Sequence, residues 1–128
     1  MASEKKSKKT KVLAIGDIHE DKRLIKNLAK RAKEENVDLV ILAGDLTFAE
    51  NSAKGIVGPF IKEKKQVLLI PGNHESVSTV DFLANRYPNT KSIHGDFFIK
   101  ENLGVFGAGG ADIGTYKISE SELFELLK

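Results

Sequence analysis

The sequence contains no cysteine among its 128 residues. This absence excludes a disulfide framework, a zinc finger and a thiol nucleophile. The chain also lacks any apolar run close to the ~18 residues that a membrane-spanning helix requires. Its first eleven residues are polar and include five lysines, without the apolar stretch that follows the charged start of a signal peptide. We therefore expect a cytoplasmic protein with no membrane partner.

The net charge of +2 is small, but the lysines at the start of the chain concentrate positive charge there. We predict that residues 1–10 form a disordered basic tail that increases solubility. A basic arm can also contact nucleic acid, and the sequence leaves that second role open. Residues 11–128 are predicted to form one domain, because a chain of this length rarely holds two.

Three short apolar runs dominate the first half of the chain, at residues 12–15, 39–42 and 67–70. Runs without polar alternation are typical of parallel strands that are covered on both faces. Amphipathic helical patterns follow each run. They cover residues 21–36, residues 53–61, where glycine and proline predict a broken helix, and residues 76–87.

The pairs Gly16-Asp17, Gly44-Asp45 and Gly72-Asn73 recur at intervals of 28 residues. One strand, one crossover helix and two loops account for an interval of this length. The sequence therefore predicts an α/β fold with a mainly parallel sheet built from three βα units.

A different pattern follows Pro88. After a short fourth strand, residues 96–100 and 103–106 are predicted to form a hairpin. The glycine-rich segment 107–110 is predicted to be a flexible loop. It differs from a dinucleotide-binding motif because aspartate replaces the last glycine and no helix follows at once, so we expect no nucleotide cofactor. Ser119, with Glu122 three residues later, predicts the start of a last amphipathic helix.

Polar residues follow each of the first three predicted strands. The carboxyl ends of parallel strands meet at one edge of a sheet, where α/β proteins bind their ligands. If the first loop is extended, Asp17 and His19 point the same way and converge with Asp45 and Asn73. This mixed oxygen and nitrogen set suits manganese, iron or zinc. A helix cap or a phosphoryl-accepting receiver domain is a simpler explanation for one loop, but not for three in register.

These three loops resemble the signature of the calcineurin-like metallophosphoesterase family, which reads D-x-H, G-D and G-N-H-[D/E]. The matching segments are Asp17-Ile18-His19, Gly44-Asp45 and Gly72-Asn73-His74-Glu75. The resemblance implies half of a four-layer αββα sandwich. It also implies a metal-dependent phosphodiesterase or phosphatase that uses a hydroxide bridged by two divalent ions of manganese, iron, zinc or nickel.

The resemblance also assigns roles to individual residues. Asp17 and His19 would hold the first metal, Asp45 would bridge both metals and Asn73 would hold the second. His74 would face the phosphate of the substrate, where it would steady charge or protonate the leaving oxygen. Glu75 would orient that histidine.

The chain departs from the family because a later histidine and a G-H-x-H block are missing. Only His94 remains as a further imidazole, and we expect it to be structural. We therefore expect an incomplete fragment with weak or single-metal binding and low or no activity. Its uncovered apolar surface predicts self-association or pairing with the missing C-terminal half. The alternative is a non-catalytic interaction module on the same fold.

Overall fold

The computed structural model of the chain describes residues 9–19, 21–46, 55–73, 76–111 and 117–128. Most of the predicted basic tail lies outside these residues. The elements are β1 (Val12–Ile15), α1 (Lys22–Glu34), β2 (Leu39–Ala43), α2 (Gly58–Lys62), β3 (Gln66–Ile70), α3 (Val77–Arg86), β4 (Thr90–Ser92), β5 (Phe97–Lys100), β6 (Leu103–Phe106) and α4 (Glu120–Leu127).

Strands β1 to β4 form one parallel sheet in sequence order. Helices α1, α2 and α3 contribute buried residues to a single core cluster with this sheet. Helices on one face are the expected result when strands are added in one direction, since parallel crossovers are right-handed. Strands β5 and β6 form a separate antiparallel hairpin. The predicted α/β fold, with a parallel sheet and a hairpin, is thus confirmed.

Helix α1 illustrates how the local sequence fixes an element. The side chain of Asp21 accepts a hydrogen bond from the backbone N–H of Leu24 at 2.9 Å and caps the first turn. Ile25, Ala29 and Ala32 lie on one stripe and are buried against the sheet. The helix therefore exposes its charged face to solvent.

Helix α2 is shorter than the pattern over residues 53–61 predicts. It begins at Gly58, with Pro59 in its first turn, where proline costs no hydrogen bond. The side chain of Phe60 is fully buried in the main core cluster. Residues 47–54 lie outside the described part of the chain, so the start of the predicted broken helix is outside it as well.

The hairpin covers the face of the sheet opposite the helices. Phe98, Leu103 and Val105 pack against a second buried cluster on that face, whose members are Leu39, Leu68 and Ile93. The uncovered apolar surface that the sequence predicts includes this sheet face, and because the hairpin covers it, that part of the prediction is wrong. Six exposed large apolar residues lie on the hairpin and on α4, namely Phe97, Ile99, Phe106, Leu123, Phe124 and Leu127. Val12, Leu24 and Phe82 are exposed elsewhere in the described part of the chain.

Helix α4 begins as predicted, because the Ser119 hydroxyl accepts a hydrogen bond from the Glu122 N–H at 3.1 Å. None of its residues is buried. The predicted self-association through such apolar residues stays a prediction. Among the residues that the structure describes, no helix has both the length and the apolar character needed to cross a lipid bilayer.

Two phenylalanines on neighbouring helices allow a matched test of the core. We expect Phe60→Ala to lower the free energy of unfolding by about 3–5 kcal/mol, because it leaves a cavity in the core beneath α2. Phe82 on α3 is 63% exposed, so Phe82→Ala is expected to change it by less than about 1 kcal/mol. Urea denaturation of both variants measures the difference, and equal losses would contradict this description of the core.

Candidate metal centre

The loops that follow β1 and β2 are joined by two backbone hydrogen bonds at the carboxyl edge of the sheet. The N–H of Asp17 donates to the carbonyl of Gly44 at 3.3 Å, and the N–H of His19 donates to the carbonyl of Asp45 at 2.9 Å. These bonds continue the contact between the two strands beyond the sheet itself. Both loops are therefore held in a fixed relation to one another.

Asp17, His19 and Asp45 all have left-handed backbone conformations, with φ of 61°, 45° and 51°. Such values are uncommon outside glycine, and strained residues of this kind cluster at functional sites. The extended conformation expected for Asp17 and His19 is therefore wrong. Ile18 between them is 2% exposed and packs in the main core, whereas Asp17 is exposed and His19 is partly buried.

Side-chain donors of Asp17, His19 and Asp45 all lie within 4.8 Å of one another. Nε2 of His19 is 2.7 Å from Oδ1 of Asp17. Two carboxylates held this close repel each other unless positive charge compensates them. A divalent cation supplies that compensation and accepts the oxygen and nitrogen ligands that these side chains offer.

Asn73 reaches the same cluster from the loop after β3. Its backbone N–H donates to Oδ1 of Asp45 at 3.0 Å. The Asn73 side-chain amide also reaches the carboxylate. With its nitrogen turned toward Asp45, the amide donates to Oδ1 at 2.6 Å and to Oδ2 at 3.3 Å. With the amide flipped, its oxygen faces the carboxylate, which is the orientation needed if both side chains bind one cation. The four predicted ligands are thus neighbours, and their role as ligands stays a prediction.

The contact between Asp45 and Asn73 depends on two glycines. A Cβ atom on Gly72 would overlap the backbone nitrogen and the carboxylate of Asp45. A Cβ on Gly44 would lie 2.9 Å from the Cα of Gly72, and Gly44 also has a φ of +78°. Only glycine at both positions lets the two loop backbones approach this closely.

A cavity of about 420 Å³ opens beside Asp45 and Asn73. Its other wall is the segment Gly109–Ala111, in which the Gly110 N–H donates to the carbonyl of Pro71 at 2.9 Å. The sequence predicts a flexible loop here, but hydrogen bonds hold it against the end of β3. Sequence reasoning missed this wall of the site. The sequence feature that could have indicated it is the run of small residues at 107–111, which permits close backbone packing.

His94 lies behind the same loop. Its Nδ1 accepts a hydrogen bond from the Gly109 N–H at 3.0 Å, so the imidazole positions the wall of the cavity. Burial lowers the pKa of His94 below its ordinary value of 6.5, while the negative charge of Asp81 acts in the opposite direction. The neutral ring is the form that can accept this hydrogen bond. His74 and Glu75, the predicted phosphate-facing histidine and its partner, lie outside the described residues.

The parallel sheet with a donor cluster at its carboxyl edge defines an α/β protein with a candidate metal centre. The sequence model of the calcineurin-like phosphoesterase family matches residues 10–126. The chain therefore belongs to this family. In a comparison with curated protein sequences, no match was found.

Solved structures show the same fold. A crystal structure of TT1561 of Thermus thermophilus has 18% sequence identity and a TM-score of 0.66, and the match covers 80% of this chain and 51% of that one. A second crystal structure has 16% identity and a TM-score of 0.72, with 91% of this chain and 62% of that one covered. The chain thus spans about half to three-fifths of the length of these two proteins.

The close packing at Gly72 predicts a local defect on substitution. We expect Gly72→Ala to lower the free energy of unfolding by about 1–3 kcal/mol, because the methyl group displaces Asp45. Gly104 has open space around its Cα hydrogen, so Gly104→Ala is the matched control and is expected to be neutral or slightly stabilising. Urea denaturation compares the two variants. A stable Gly72→Ala protein would mean that the loops are not packed as described.

The environment of His94 predicts a pH dependence of stability. Its pKa is lower in the folded than in the unfolded chain, so below pH 6.5 the unfolded chain binds more protons. The contribution of His94 to the free energy of unfolding is therefore complete above its ordinary pKa. It declines as the pH falls toward the lower pKa that His94 has in the folded chain. We expect His94→Gln, which keeps an acceptor without titrating, to lose less stability than the wild type between pH 7.5 and 5.5. Urea midpoints at both pH values test this, and identical losses would contradict it.

Proposed function

We propose that this chain is a metal-dependent phosphoesterase. The observation that carries the proposal is the convergence of Asp17, His19 and Asp45 within 4.8 Å, with Asn73 hydrogen-bonded to Asp45. Membership of the calcineurin-like phosphoesterase family supports the same chemistry. The structural relatives extend beyond the region that matches this chain. The proposal therefore covers the activity of this chain and that of a longer protein that contains it.

The donor set fits divalent cations of intermediate hardness, such as manganese, iron, zinc or nickel. Asp17 and His19 would hold one ion, Asn73 would hold a second, and Asp45 would contribute to both. When bound, such ions polarise phosphoryl oxygens and make a water molecule nucleophilic near neutral pH. A carboxylate suits the shared position because its two oxygens can neutralise two cations.

The residues of the chain itself supply positioning. The Asn73 N–H fixes Oδ1 of Asp45, and the backbone bonds between the first two loops fix Asp17 and His19 relative to that carboxylate. Side chains held in advance need no reorganisation when charge develops during the reaction. The adjacent cavity of about 420 Å³ has room for a phosphoester beside the predicted ligands.

His74, which is predicted to face the phosphate, follows directly after Asn73 in the chain. From that place its imidazole would serve the phosphoryl group, where it would stabilise charge or give its proton to the leaving oxygen. Both roles are retained in the proposal. A leaving alkoxide needs such a proton because its conjugate acid is much weaker than imidazolium.

Metal binding tests the proposal without requiring turnover. We expect calorimetric titration with Mn²⁺ to show weak binding or occupancy of one site, since four predicted side-chain donors must serve two ions. Asp45→Asn is expected to weaken Mn²⁺ binding by about tenfold or more, because it removes the shared charge. Only weak manganese-dependent hydrolysis of bis(p-nitrophenyl) phosphate is expected from the wild type, and it should be lost in this variant.

Asp21→Asn is the matched control. It removes one negative charge near the same loop, while asparagine keeps the cap of α1. We expect this variant to bind Mn²⁺ and to hydrolyse the phosphodiester like the wild type. Equal metal affinity of the two variants would overturn the assignment of Asp45. Absence of both binding and hydrolysis in the wild type would favour the non-catalytic interaction module.

A further inference from the structure

A basic cleft lies between α1 and α2, and none of its lining residues belongs to the candidate metal centre. This open cleft has a volume of about 440 Å³, and its lining includes Lys26, Lys30, Lys33 and Lys62. The other lining residues are small, apart from Glu63. Four lysines at one concave surface create a positive potential that attracts anions.

The positive charge belongs mainly to α1. This helix has six basic residues and one acidic residue, a net charge of +5, whereas the whole chain has a net charge of +2. The rest of the chain is therefore negative, at −3. Lys26, Lys30 and Lys33 follow the helical spacing of one stripe beside α2, and Lys22 continues that stripe toward the start of the helix. The stripe is about 16 Å long at 1.5 Å per residue.

The ion pairs made by the lysines of the cleft are weak. Nζ of Lys33 is 3.8 Å from Glu63, and Nζ of Lys30 is 3.9 Å from Glu34. The Lys30 and Lys33 side chains are 76% and 70% exposed, so each pair contributes little to stability. Among the described residues, Lys26 and Lys62 have no ion-pair partner. The cleft thus has positive charge available for an anionic ligand.

The shape and lining of the cleft select among anionic ligands. A membrane surface is flat, and a helix that binds it needs an apolar face directed outward. The apolar face of α1 is buried through Ile25, Ala29 and Ala32. An acidic peptide would find no apolar pocket for an anchor side chain, because Ala29 and Pro59 are the main apolar groups in the lining.

We propose that the cleft between α1 and α2 binds the phosphate backbone of single-stranded nucleic acid. A flexible strand can enter a concave cleft and place successive phosphates along a stripe of lysines. No aromatic residue lines the cleft, so base stacking contributes nothing and binding is independent of sequence. This proposal requires neither metal binding nor phosphoester hydrolysis.

The experiment uses the full chain and a fluorescein-labelled 12-nucleotide oligothymidylate, followed by fluorescence anisotropy in EDTA. Contacts from four lysines predict a salt slope of about −2.8, so the association constant falls about 50-fold between 50 and 200 mM salt. The variant Lys26→Gln/Lys30→Gln/Lys62→Gln is expected to lose about tenfold in affinity per lysine at 50 mM salt, with a correspondingly shallower slope. Glutamine preserves helix propensity, and circular dichroism checks the fold.

Two variants with the same change in charge act as controls. Lys100→Gln/Lys117→Gln/Lys128→Gln alters lysines outside the cleft, and Lys5→Gln/Lys6→Gln/Lys8→Gln alters the predicted tail. We expect both controls to stay within about threefold of the wild type. An equal loss in the cleft variant and either control would overturn the proposal. So would cleft-dependent binding to phosphatidylserine vesicles with no binding of the oligonucleotide.

Discussion

The close approach of two loop backbones, at Gly44 and Gly72, is the constraint on which the candidate metal centre depends. These loops follow neighbouring parallel strands, and a Cβ on Gly72 would occupy the space of Asp45. With hydrogen in that place, the Asn73 N–H reaches the Asp45 carboxylate. The first loop then joins the second through backbone hydrogen bonds. The steric requirement thus brings Asp45 and Asn73 together, and the backbone hydrogen bonds add Asp17 and His19 from the first loop.

The two faces of the sheet have different roles. The helical face holds the large core cluster and presents the basic surface of α1 to solvent. The opposite face is covered by the hairpin, whose end leads into the glycine-rich wall of the cavity. His94 and Pro71 connect that wall to β3 and β4 by hydrogen bonds. The same packing contacts thus stabilise the fold and shape the candidate site.

Much of the fold could be predicted because its signals are local. Unbroken apolar runs marked the strands, and the stripe of Ile25, Ala29 and Ala32 marked α1. The interval of 28 residues predicts that Asp17, Asp45 and Asn73 lie at one edge of the sheet, and the structure places them there. Helix α2 was predicted less well, since glycine and proline weaken the local helical pattern and the helix observed there covers only Gly58–Lys62.

The sequence by itself determined which chemical groups meet and on which edge of the sheet, because strand order and crossover handedness follow from local patterns. Only the tertiary structure decided how they meet. Asp17 and His19 adopt left-handed turns because Ile18 between them is drawn into the core, a long-range packing effect that no local pattern encodes. The anchoring of Gly109 and Gly110 on His94 and Pro71 is likewise tertiary. It joins residues distant in the chain, whose contacts exist only after the sheet has formed.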